Sequence, residues 1–488
     1  METRKKIGFF LGPLFFLGVY FSPILNENPQ AHSLLAIFLL TVVFWITECI
    51  PIPITALLIP VFMTVFHVAS VKEAFAPFSN PIIMLFLGSF ILARAMCIHA
   101  LDRKLAHAVL SSKAIARKST RILFAMGMIT IFLSLWISNT ATTAMIYPIA
   151  LGMADAFNSE GEKKRGIPIG IVFLLSIAYS ASIGGIGSPI GSPPNLIAIG
   201  MLETLVDYKI TFFQWMVFGF LILVPMYLVL FLYMRARMKK SKVEKLEHIP
   251  SIIDKNIKKG LTRGQINVLI AFSITVFLWV FPGLVSLIWG REAPLYVWFH
   301  QHIPEAVAAI IGACLVFFLP VDRKRGLFTL PFKEAIKVDW GTLILFGGGL
   351  SLGFQMFDTG LADVIGNLFI SIGGDSAGIS LICLLSITLA VFLTELTSNT
   401  ASANMIIPIV IAISTAASIN PVPPVIGSAI GCSFAFMLPV ATPPNAIVYG
   451  SGRIRLPQMM KIGFFLNIIG IVVIWFGVVI LAPLLGLY

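Results

Sequence analysis

Two short polar segments interrupt long apolar stretches of this chain, and their residue types could bind ions. Each reads Ser-Asn-Thr, at positions 138–140 and 398–400. Hydroxyl, amide and carbonyl oxygens suit a hard cation, and Ser, Thr and Asn side chains also donate hydrogen bonds to carboxylates. A lone segment of this kind more often joins neighbouring membrane helices by hydrogen bonds. Two copies instead favour a site that binds an anion together with cations.

Paired prolines break two other apolar stretches, within Ser-Pro-Pro-Asn at 192–195 and Thr-Pro-Pro-Asn at 442–445. Proline has no backbone N–H and disfavours helical conformation in the residue before it. Each stretch is therefore predicted to form two half-helices joined by an extended loop. The N-terminal ends of such half-helices favour anions, and their freed carbonyls favour cations.

The four segments are two copies of one pattern. A shift of 260 residues aligns 138–150 with 398–410, with eight identities in thirteen, and a shift of 250 aligns 192–200 with 442–450. Chance is a poor explanation for this agreement. The sequence therefore predicts a tandem duplication, the kind of internal repeat from which many secondary transporters are built.

Composition identifies the setting in which these segments work. Only 11% of the 488 residues are charged and 58% are hydrophobic, against roughly 25% charged in soluble domains; the mean hydropathy is +0.96. A soluble surface cannot be assembled from so few polar residues, so the chain is predicted to be an integral membrane protein in a lipid bilayer. The net charge of +12 is not concentrated in one block, and no nucleic-acid partner is expected.

Apolar stretches long enough to cross a bilayer predict eleven crossings. They lie near 7–24, 31–49, 54–69, 81–101, 168–205, 212–234, 264–287, 303–320, 340–365, 424–452 and 462–485. Two more stretches, 121–157 and 378–418, are too long for one crossing and polar at the centre. We interpret them as re-entrant helical hairpins with the Ser-Asn-Thr segments at their tips.

The distribution of Lys and Arg predicts the orientation, because cytoplasmic loops carry an excess of these residues. Placing the N-terminus in the cytoplasm puts 30 of the 34 on that face, with Lys72, Lys209 and Arg291 outside and Arg94 within a span. The first hairpin then enters from the cytoplasm, and the second, which has no Lys or Arg between Lys337 and Arg453, enters from outside. An odd number of crossings places the C-terminus outside.

The predicted fold is thus all-α and polytopic, with about eleven transmembrane helices and two re-entrant hairpins in two repeats of inverted topology with broken helices. An N-terminal transmembrane helix occupies 1–30. The first repeat spans 31–234, with hairpin 121–157 and broken helix 168–205. A basic cytoplasmic linker covers 235–263, and the second repeat spans 264–488, with hairpin 378–418 and broken helix 424–452.

Ionisable residues near the tips are few. No Lys or Arg lies in or beside either tip in the sequence, whereas Glu48, Glu305 and Glu395 lie in or beside apolar spans. Acidic residues in membrane spans are functional candidates, although Glu48 and Glu305 could equally lie near the interface or be structural. The chain has no phosphate-binding loop and no metal-binding histidine spacing. An enzyme is therefore not expected.

The paired tips and paired Pro-Pro-Asn breaks closely resemble the divalent anion:sodium symporter family of di- and tricarboxylate transporters. The four motifs occur in the expected order over nearly the whole chain. The resemblance implies a homodimer in the inner (plasma) membrane, with a scaffold and a moving part in each protomer. It also implies symport of small carboxylate anions, such as succinate, malate or fumarate, with sodium as coupling ion by an elevator-type alternating-access cycle.

The resemblance also implies roles for individual residues in this sequence. The sodium-binding residues would be Ser134, Ser138, Asn139 and the Gly191 backbone in the first repeat, and Thr394, Thr397, Asn399 and the Ala441 backbone in the second. The substrate-binding residues would be Asn139, Thr140, Ser192, Pro193, Ser398, Asn399, Thr400, Thr442 and Pro443.

Other functions remain open from the sequence. A sodium-independent dicarboxylate exchanger could share the fold, and a basic residue near the tips would favour it. A transporter of sulfate or another inorganic divalent anion is also compatible, since the motifs do not measure the size of the pocket. A membrane enzyme or receptor would need a metal, a nucleophile or a soluble domain that the sequence does not reveal.

Overall fold

The computed structural model describes residues 3–110, 118–158, 167–238, 260–373 and 378–484. Nearly all regular structure in these residues is helical, because helices satisfy their backbone hydrogen bonds internally where water is absent. The described residues also contain one small antiparallel pair of strands, β1 (Pro320–Asp322) and β2 (Leu327–Phe328). The prediction of a polytopic all-α membrane protein is confirmed.

The described residues up to 238 form eleven α-helices and one 3-10 turn, Ala76–Ser79. The helices are α1 (Thr3–Tyr20), α2 (Pro29–Thr47), α3 (Ile52–Val65), α4 (Val71–Phe75), α5 (Pro81–Ile98), α6 (Leu101–Leu110), α7 (Ser119–Ser134), α8 (Asn139–Asn158), α9 (Ile169–Gly185), α10 (Pro193–Val206) and α11 (Phe212–Arg237).

The described residues from 260 onward form twelve α-helices and one π-helical turn, Gly477–Leu481. The helices are α12 (Arg263–Trp289), α13 (Pro294–His302), α14 (Glu305–Phe318), α15 (Phe332–Ala335), α16 (Trp340–Asp358), α17 (Leu361–Gly373), α18 (Ile379–Thr394), α19 (Asn399–Ala416), α20 (Val422–Cys432), α21 (Pro443–Tyr449), α22 (Leu456–Phe476) and α23 (Ala482–Leu484).

The order of elements repeats as the sequence alignment does. The series α4 to α11 corresponds to α15 to α22, helix by helix. The helix pair α7 and α8 breaks at 135–138, and the pair α18 and α19 breaks at 395–398, so the breaks coincide with the two tips. The opposite orientation of the halves and the division of the chain into domains stay predictions, and most of the basic linker (239–259) lies outside the described residues.

The predicted broken helices are present as pairs of helices. α9 ends at Gly185 and α10 begins at Pro193, while α20 ends at Cys432 and α21 begins at Pro443. In each pair the two prolines occupy the first helical turn, where a missing N–H costs nothing. The loops between the half-helices are thus where the Pro-Pro-Asn segments predicted them.

The number of crossings stays a prediction. Seven described helices are long and apolar enough to span a membrane, or eight if the bent pair α13 and α14, which meet at 63°, counts as one span. Six of the seven coincide with predicted crossings, namely α2, α5, α11, α12, α16 and α22, whereas α19 belongs to the second hairpin. The shorter apolar helices α3, α9, α10 and α20 coincide with three further predicted crossings, so these helices are compatible with the prediction of eleven.

The stretch expected to be one span at 340–365 is instead two helices. α16 ends at Asp358, Gly360 adopts a φ of +74°, and the amphipathic α17 follows. The first repeat does the same, because α5 ends at Ile98 and Ala100 has a φ of +49° before α6. Left-handed residues terminate helices, so each repeat places a short amphipathic helix between a span and a hairpin.

The repeats interlock around their breaks. Helix α21 of the second repeat packs against α8 and α9 of the first, and α10 packs against α19 and α20. A separate buried cluster joins α1, α2, α3 and α16, and three residues of α19 enter it: Ala401, Met405 and Ala412. Helix α19, the second helix of the second hairpin, therefore lies directly against helices that carry neither a tip nor a break.

An ion pair links the short helix α15 of the second repeat to α5 of the first. Glu334 in α15 contacts Lys337 at 2.6 Å and Arg94 of α5 at 2.5 Å. Hydrogen bonds from Lys337 and Arg94 hold the pKa of this carboxyl below its usual value. Arg94, which the sequence places in an apolar span, thus reaches an acidic partner in the loop region.

Candidate functional site

The first tip forms a compact group of oxygens. Ser134 ends α7, and its Oγ lies 2.6 Å from Asn139 Oδ1 and 2.8 Å from the carbonyl oxygen of Ala181 in α9. Ser134 is fully buried. A hydroxyl has one hydrogen to donate, so this group holds more acceptors than donors. Such an excess of oxygen is what a bound cation would satisfy.

The second tip repeats this geometry with one substitution. Thr394 ends α18, and its Oγ1 lies 2.8 Å from Asn399 Oδ1 and 2.7 Å from the carbonyl oxygen of Cys432 in α20. Thr394 is also fully buried. The structure therefore brings together the residues that the resemblance pairs at each sodium site, Ser134 with Asn139 and Thr394 with Asn399.

Two glycines allow the first tip to approach the broken helix. A Cβ atom on Gly185 would lie 2.4 Å from Asn139 Oδ1, and one on Gly191 would lie 2.8 Å from the Ser134 carbonyl oxygen. Real Cβ atoms do not approach so closely, so side chains are excluded at both positions. Gly191 is thus beside Ser134, where the resemblance expects its backbone. Ala441, its counterpart, is buried next to Thr442.

The asparagines of the Pro-Pro-Asn segments hold the helix breaks in shape. Asn195 Nδ2 donates to the carbonyls of Gly185 and Ser188, both at 2.8 Å. Asn445 Nδ2 donates to Ala435 at 2.8 Å and to Leu438 at 3.0 Å. The two sets of bonds are related by the same shift of 250 residues as the sequence. The sequence around Asn195 and Asn445 does not predict these contacts, because their carbonyl partners lie seven to ten residues earlier in the chain.

The predicted substrate residues line the same breaks. Ser138 and Ser398 accept backbone N–H groups of Ala141 and Ala401 at 3.3 and 3.2 Å and so cap α8 and α19. Ser192 and Thr442 are the N-cap residues of α10 and α21. Thr140 and Pro443 are exposed, and Pro193 and Thr400 are half-buried. The start of α8 is therefore accessible at Ser138 and Thr140, whereas Ser192 and Thr442 are buried.

The two repeats meet at their breaks. Ser192 Oγ lies 2.9 Å from Ser433 Oγ, and the Tyr179 hydroxyl donates to the Phe436 carbonyl at 2.8 Å. Ser192 and Tyr179 belong to the first repeat, and Ser433 and Phe436 belong to the second. Both breaks thus contribute to one region, as a single substrate site between two cation sites requires.

Thr397 differs from the other predicted sodium residues. Its hydroxyl donates to the Trp45 carbonyl in the last turn of α2, at 2.9 Å, and the side chain is buried. The hydrogen of this hydroxyl is therefore committed to α2, and its lone pairs are what Thr397 could offer to a cation.

Although no Lys or Arg lies beside either tip in the sequence, the fold brings a distant one to the second tip. The guanidinium of Arg4, in α1, donates to the carbonyl of Leu396 at the second tip at 2.6 Å, and also to the carbonyl of Ile46. Arg4 lies 392 residues from Leu396 in the chain, so proximity in sequence could not reveal the contact. Its guanidinium is directed at main-chain carbonyls, not at the paired hydroxyl and amide oxygens.

Glu395 joins the second tip to the broken helix. Oε1 accepts from the Met437 backbone and from Asn467 Nδ2, both at 2.7 Å, and Oε2 accepts from the Leu438 backbone at 3.0 Å. The side chain is 3% exposed. Every contact comes from an N–H donor, as suits an ionised carboxylate. We call these three hydrogen bonds the Glu395 brace. The matching position in the first repeat is Leu135, whose side chain cannot form them.

We expect Glu395→Gln to lower the thermal unfolding midpoint by a few degrees, because the amide nitrogen of glutamine would face an N–H donor. An unsatisfied buried donor costs about 1–3 kcal/mol. Differential scanning fluorimetry of the purified variant measures this, with Glu27→Gln as an exposed acidic control. An unchanged midpoint would show that the brace contributes nothing to stability.

Among the described residues, the other two acidic candidates form no hydrogen bond with the paired oxygens. Glu305 begins α14 and contacts Lys209 Nζ at 3.9 Å. Glu48 ends α2 with a φ of +50° and is half-buried. Within the described ranges no group of three His, Cys, Asp or Glu residues could hold a metal. The candidate cation ligands are therefore hydroxyl, amide and carbonyl oxygens.

The chain is similar over nearly its whole length to a known family and to known proteins. The profile of the sodium:sulfate symporter transmembrane region matches residues 7–487. The sodium-dependent dicarboxylate transporter SdcS of Staphylococcus saprophyticus is 35% identical over 99% of this chain and 92% of its own length. SdcS of Staphylococcus aureus is 33% identical with the same coverage. An uncharacterized transporter of Haemophilus influenzae is 34% identical over 92% of each chain.

Among solved structures, the YdaH transporter of Alcanivorax borkumensis is similar in fold. The alignment has a TM-score of 0.57 and covers 99% of this chain and 98% of the other, at 14% identity. At that identity the similarity concerns the fold alone. It agrees with a polytopic helical membrane protein.

Proposed function

The chain belongs to the sodium:sulfate symporter family, the divalent anion:sodium symporters that its motifs resemble, and we propose that it couples inward transport of a dicarboxylate to sodium. Members of this family are transporters, and the chain is a multi-pass membrane transporter rather than an enzyme. Succinate, malate and fumarate are the proposed substrates.

The observation that carries this proposal is the duplicated oxygen cluster. Ser134 with Asn139, and Thr394 with Asn399, present the same three kinds of oxygen within 2.8 Å. We assign one sodium ion to each cluster. Ser138, Gly191, Thr397 and Ala441 are assigned to the same two sites. Hard cations prefer such ligands.

The substrate is assigned to the region between the clusters. Asn139, Asn399 and the polar N-terminal ends of the helices at the breaks would donate to its carboxylates. The assigned residues are those of the resemblance: Asn139, Thr140, Ser192, Pro193, Ser398, Asn399, Thr400, Thr442 and Pro443. The contact between Ser192 and Ser433 supports a site shared by both repeats.

A basic residue near the tips would favour sodium-independent exchange, but the contacts that Arg4 makes leave sodium-coupled symport the better supported function. Arg4 contacts main-chain carbonyls on the side of the tip toward α2, so it leaves both oxygen clusters without a fixed positive charge. A buried dianion needs compensation, and sodium ions at the clusters would supply it. Two relatives are sodium-dependent dicarboxylate transporters named SdcS, and this similarity favours a dicarboxylate over sulfate as the substrate.

Reconstitution tests the function. The purified protein in liposomes without internal substrate should take up labelled succinate when sodium is outside, and not when choline replaces it. Labelled sulfate and malate are screened in parallel. Succinate entry that is equal in choline, or that needs preloaded dicarboxylate, would reject symport. Uptake of sulfate but of neither succinate nor malate would show that the substrate is an inorganic anion.

We propose that the N-terminus is cytoplasmic and the C-terminus outside, in the inner (plasma) membrane. The protein would act as a homodimer by an elevator cycle.

Single cysteines at positions 164 and 242, in a background lacking native cysteines, should both resist an impermeant thiol reagent added outside intact cells. Both loops are rich in Lys and are therefore expected on the cytoplasmic face. Labelling of position 164 alone would contradict the re-entrant first hairpin.

A further inference from the structure

We propose that Arg4 is a positioning residue of the transport cycle: it holds the second hairpin tip against the cytoplasmic end of α2. This inference rests on the proposed elevator cycle, and it places the second hairpin in the part that moves across the membrane. The dicarboxylate and sodium sites do not include Arg4. Its role is to favour the position in which the tip faces the cytoplasm.

One guanidinium nitrogen of Arg4 forms both hydrogen bonds of this contact, which we call the Arg4 latch. Arg4 Nη2 donates to the carbonyls of Ile46 and Leu396. Ile46 lies in the last turn of α2 and Leu396 lies two residues past α18. Carbonyls at a helix C-terminus have no donor within the helix, and both ends carry partial negative charge. A guanidinium between them relieves the repulsion and satisfies both acceptors.

A second contact joins the same two elements without Arg4. The Thr397 hydroxyl donates to the Trp45 carbonyl, also in the last turn of α2, at 2.9 Å. The tip therefore meets α2 at two adjacent carbonyls, those of Trp45 and Ile46. In this structure the second tip is consequently level with the first turn of α1, which begins at Thr3.

The packing of α1 against α2 keeps Arg4 beside the end of α2, and we take these two helices as the part that does not move. A Cβ on Gly8 would lie 2.4 Å from Thr47 Cβ, and one on Gly12 would lie 2.4 Å from the Phe44 ring. Such close approach holds the start of α1 against the end of α2. The tip belongs to the hairpin that is proposed to move. Because hydrogen bonds weaken steeply beyond about 3.2 Å, the latch exists only while the tip stays near this position.

The predicted orientation gives the latch its direction. With the N-terminus in the cytoplasm, Arg4 and the end of α2 lie at the cytoplasmic face, whereas the second hairpin enters from outside. A tip that reaches this level has moved toward the cytoplasm. Losing Arg4 should therefore shift the population of states away from the inward-facing one.

A cross-link far from Arg4 can report that population. A Cβ on Gly353, in α16, would lie 3.6 Å from Pro408 Cβ, in α19, within the range for a disulfide. Pro408 is nine residues beyond Asn399, about 13 Å along the helix. Cysteines at 353 and 408 thus join the second hairpin to a helix without a tip or a break, and they leave both latch carbonyls in place.

The experiment measures oxidative cross-linking of this cysteine pair in liposomes, with the five native cysteines replaced. The test variant is Arg4→Gln, and the matched control is Lys6→Gln, an exposed basic residue on the same helix. We expect cross-linking in Arg4→Gln to be at least three-fold slower than in the parent and in Lys6→Gln. Arg4→Lys, which keeps the charge but not the forked geometry, should fall between them.

Equal or faster cross-linking in Arg4→Gln would overturn the latch. Size-exclusion elution of each variant controls for folding. Succinate uptake by the latch variants, assayed with the native residues at 353 and 408, separates this proposal from the proposed function. Absence of sodium-driven uptake in every variant would count against the function, whereas a difference in cross-linking would still support the latch.

Discussion

Replacing Asn139 with alanine should abolish sodium-driven succinate uptake, and Asn399→Ala should do the same. Each amide oxygen lies beside a buried hydroxyl at a proposed sodium site, and each amide nitrogen is proposed to donate to the substrate. A hydrogen bond to a charged group is worth about 1.5–3 kcal/mol, or roughly 10- to 150-fold per partner. Losing two partners at once should bring uptake below detection in the liposome assay.

The chain provides a control for this prediction. Asn367 is exposed on α17, and Asn367→Ala should transport normally. Both tip variants should keep the elution volume of the parent on size exclusion, since neither asparagine is part of the hydrophobic core. Uptake near the parent rate by either tip variant would mean that its asparagine serves structure rather than binding.

The tips and breaks were predictable from sequence because they repeat. Ser138, Asn139 and Asn399 each have a counterpart at a fixed shift, so chance similarity and isolated structural roles become poor explanations. Prolines at 193 and 443 then fix the start of α10 and α21 to the residue. Local backbone chemistry of this kind is readable from a single segment.

Contacts between distant segments were not predictable. Arg4 and Leu396 are brought together because α1 packs on α2 and α19 packs on the buried cluster that contains α2. The residues near Arg4 in the sequence do not predict either packing contact. Glu395 was visible as an acidic residue, but its donors Met437, Leu438 and Asn467 are not. Helix α17 was missed because its apolar face extends the span before it, and only the φ of Gly360 separates them.

Replacing all sodium with choline should weaken succinate binding by roughly 5- to 150-fold, the usual range of coupling between two sites, about 1–3 kcal/mol. Without sodium, the dianion would meet neutral side chains and helix dipoles, each worth about 0.3–1 kcal/mol when exposed and up to about 2 when partly buried. These terms are small beside the cost of burying unpaired charge. By linkage, saturating succinate should strengthen sodium binding by the same factor.

Ser134→Ala and Thr394→Ala test whether this coupling passes through the two clusters. Each should raise the sodium concentration needed for half-maximal succinate binding about 10-fold or more, since a charged partner is lost. The repeat supplies matched controls: Ser134→Thr and Thr394→Ser exchange the hydroxyls that the two halves already use, and both should bind sodium nearly as the parent does. Isothermal titration of the purified protein with succinate at a series of sodium concentrations measures the shift. If the alanine variants kept the parent's sodium dependence, the hydroxyls would be structural and the coupling cations would have to bind elsewhere.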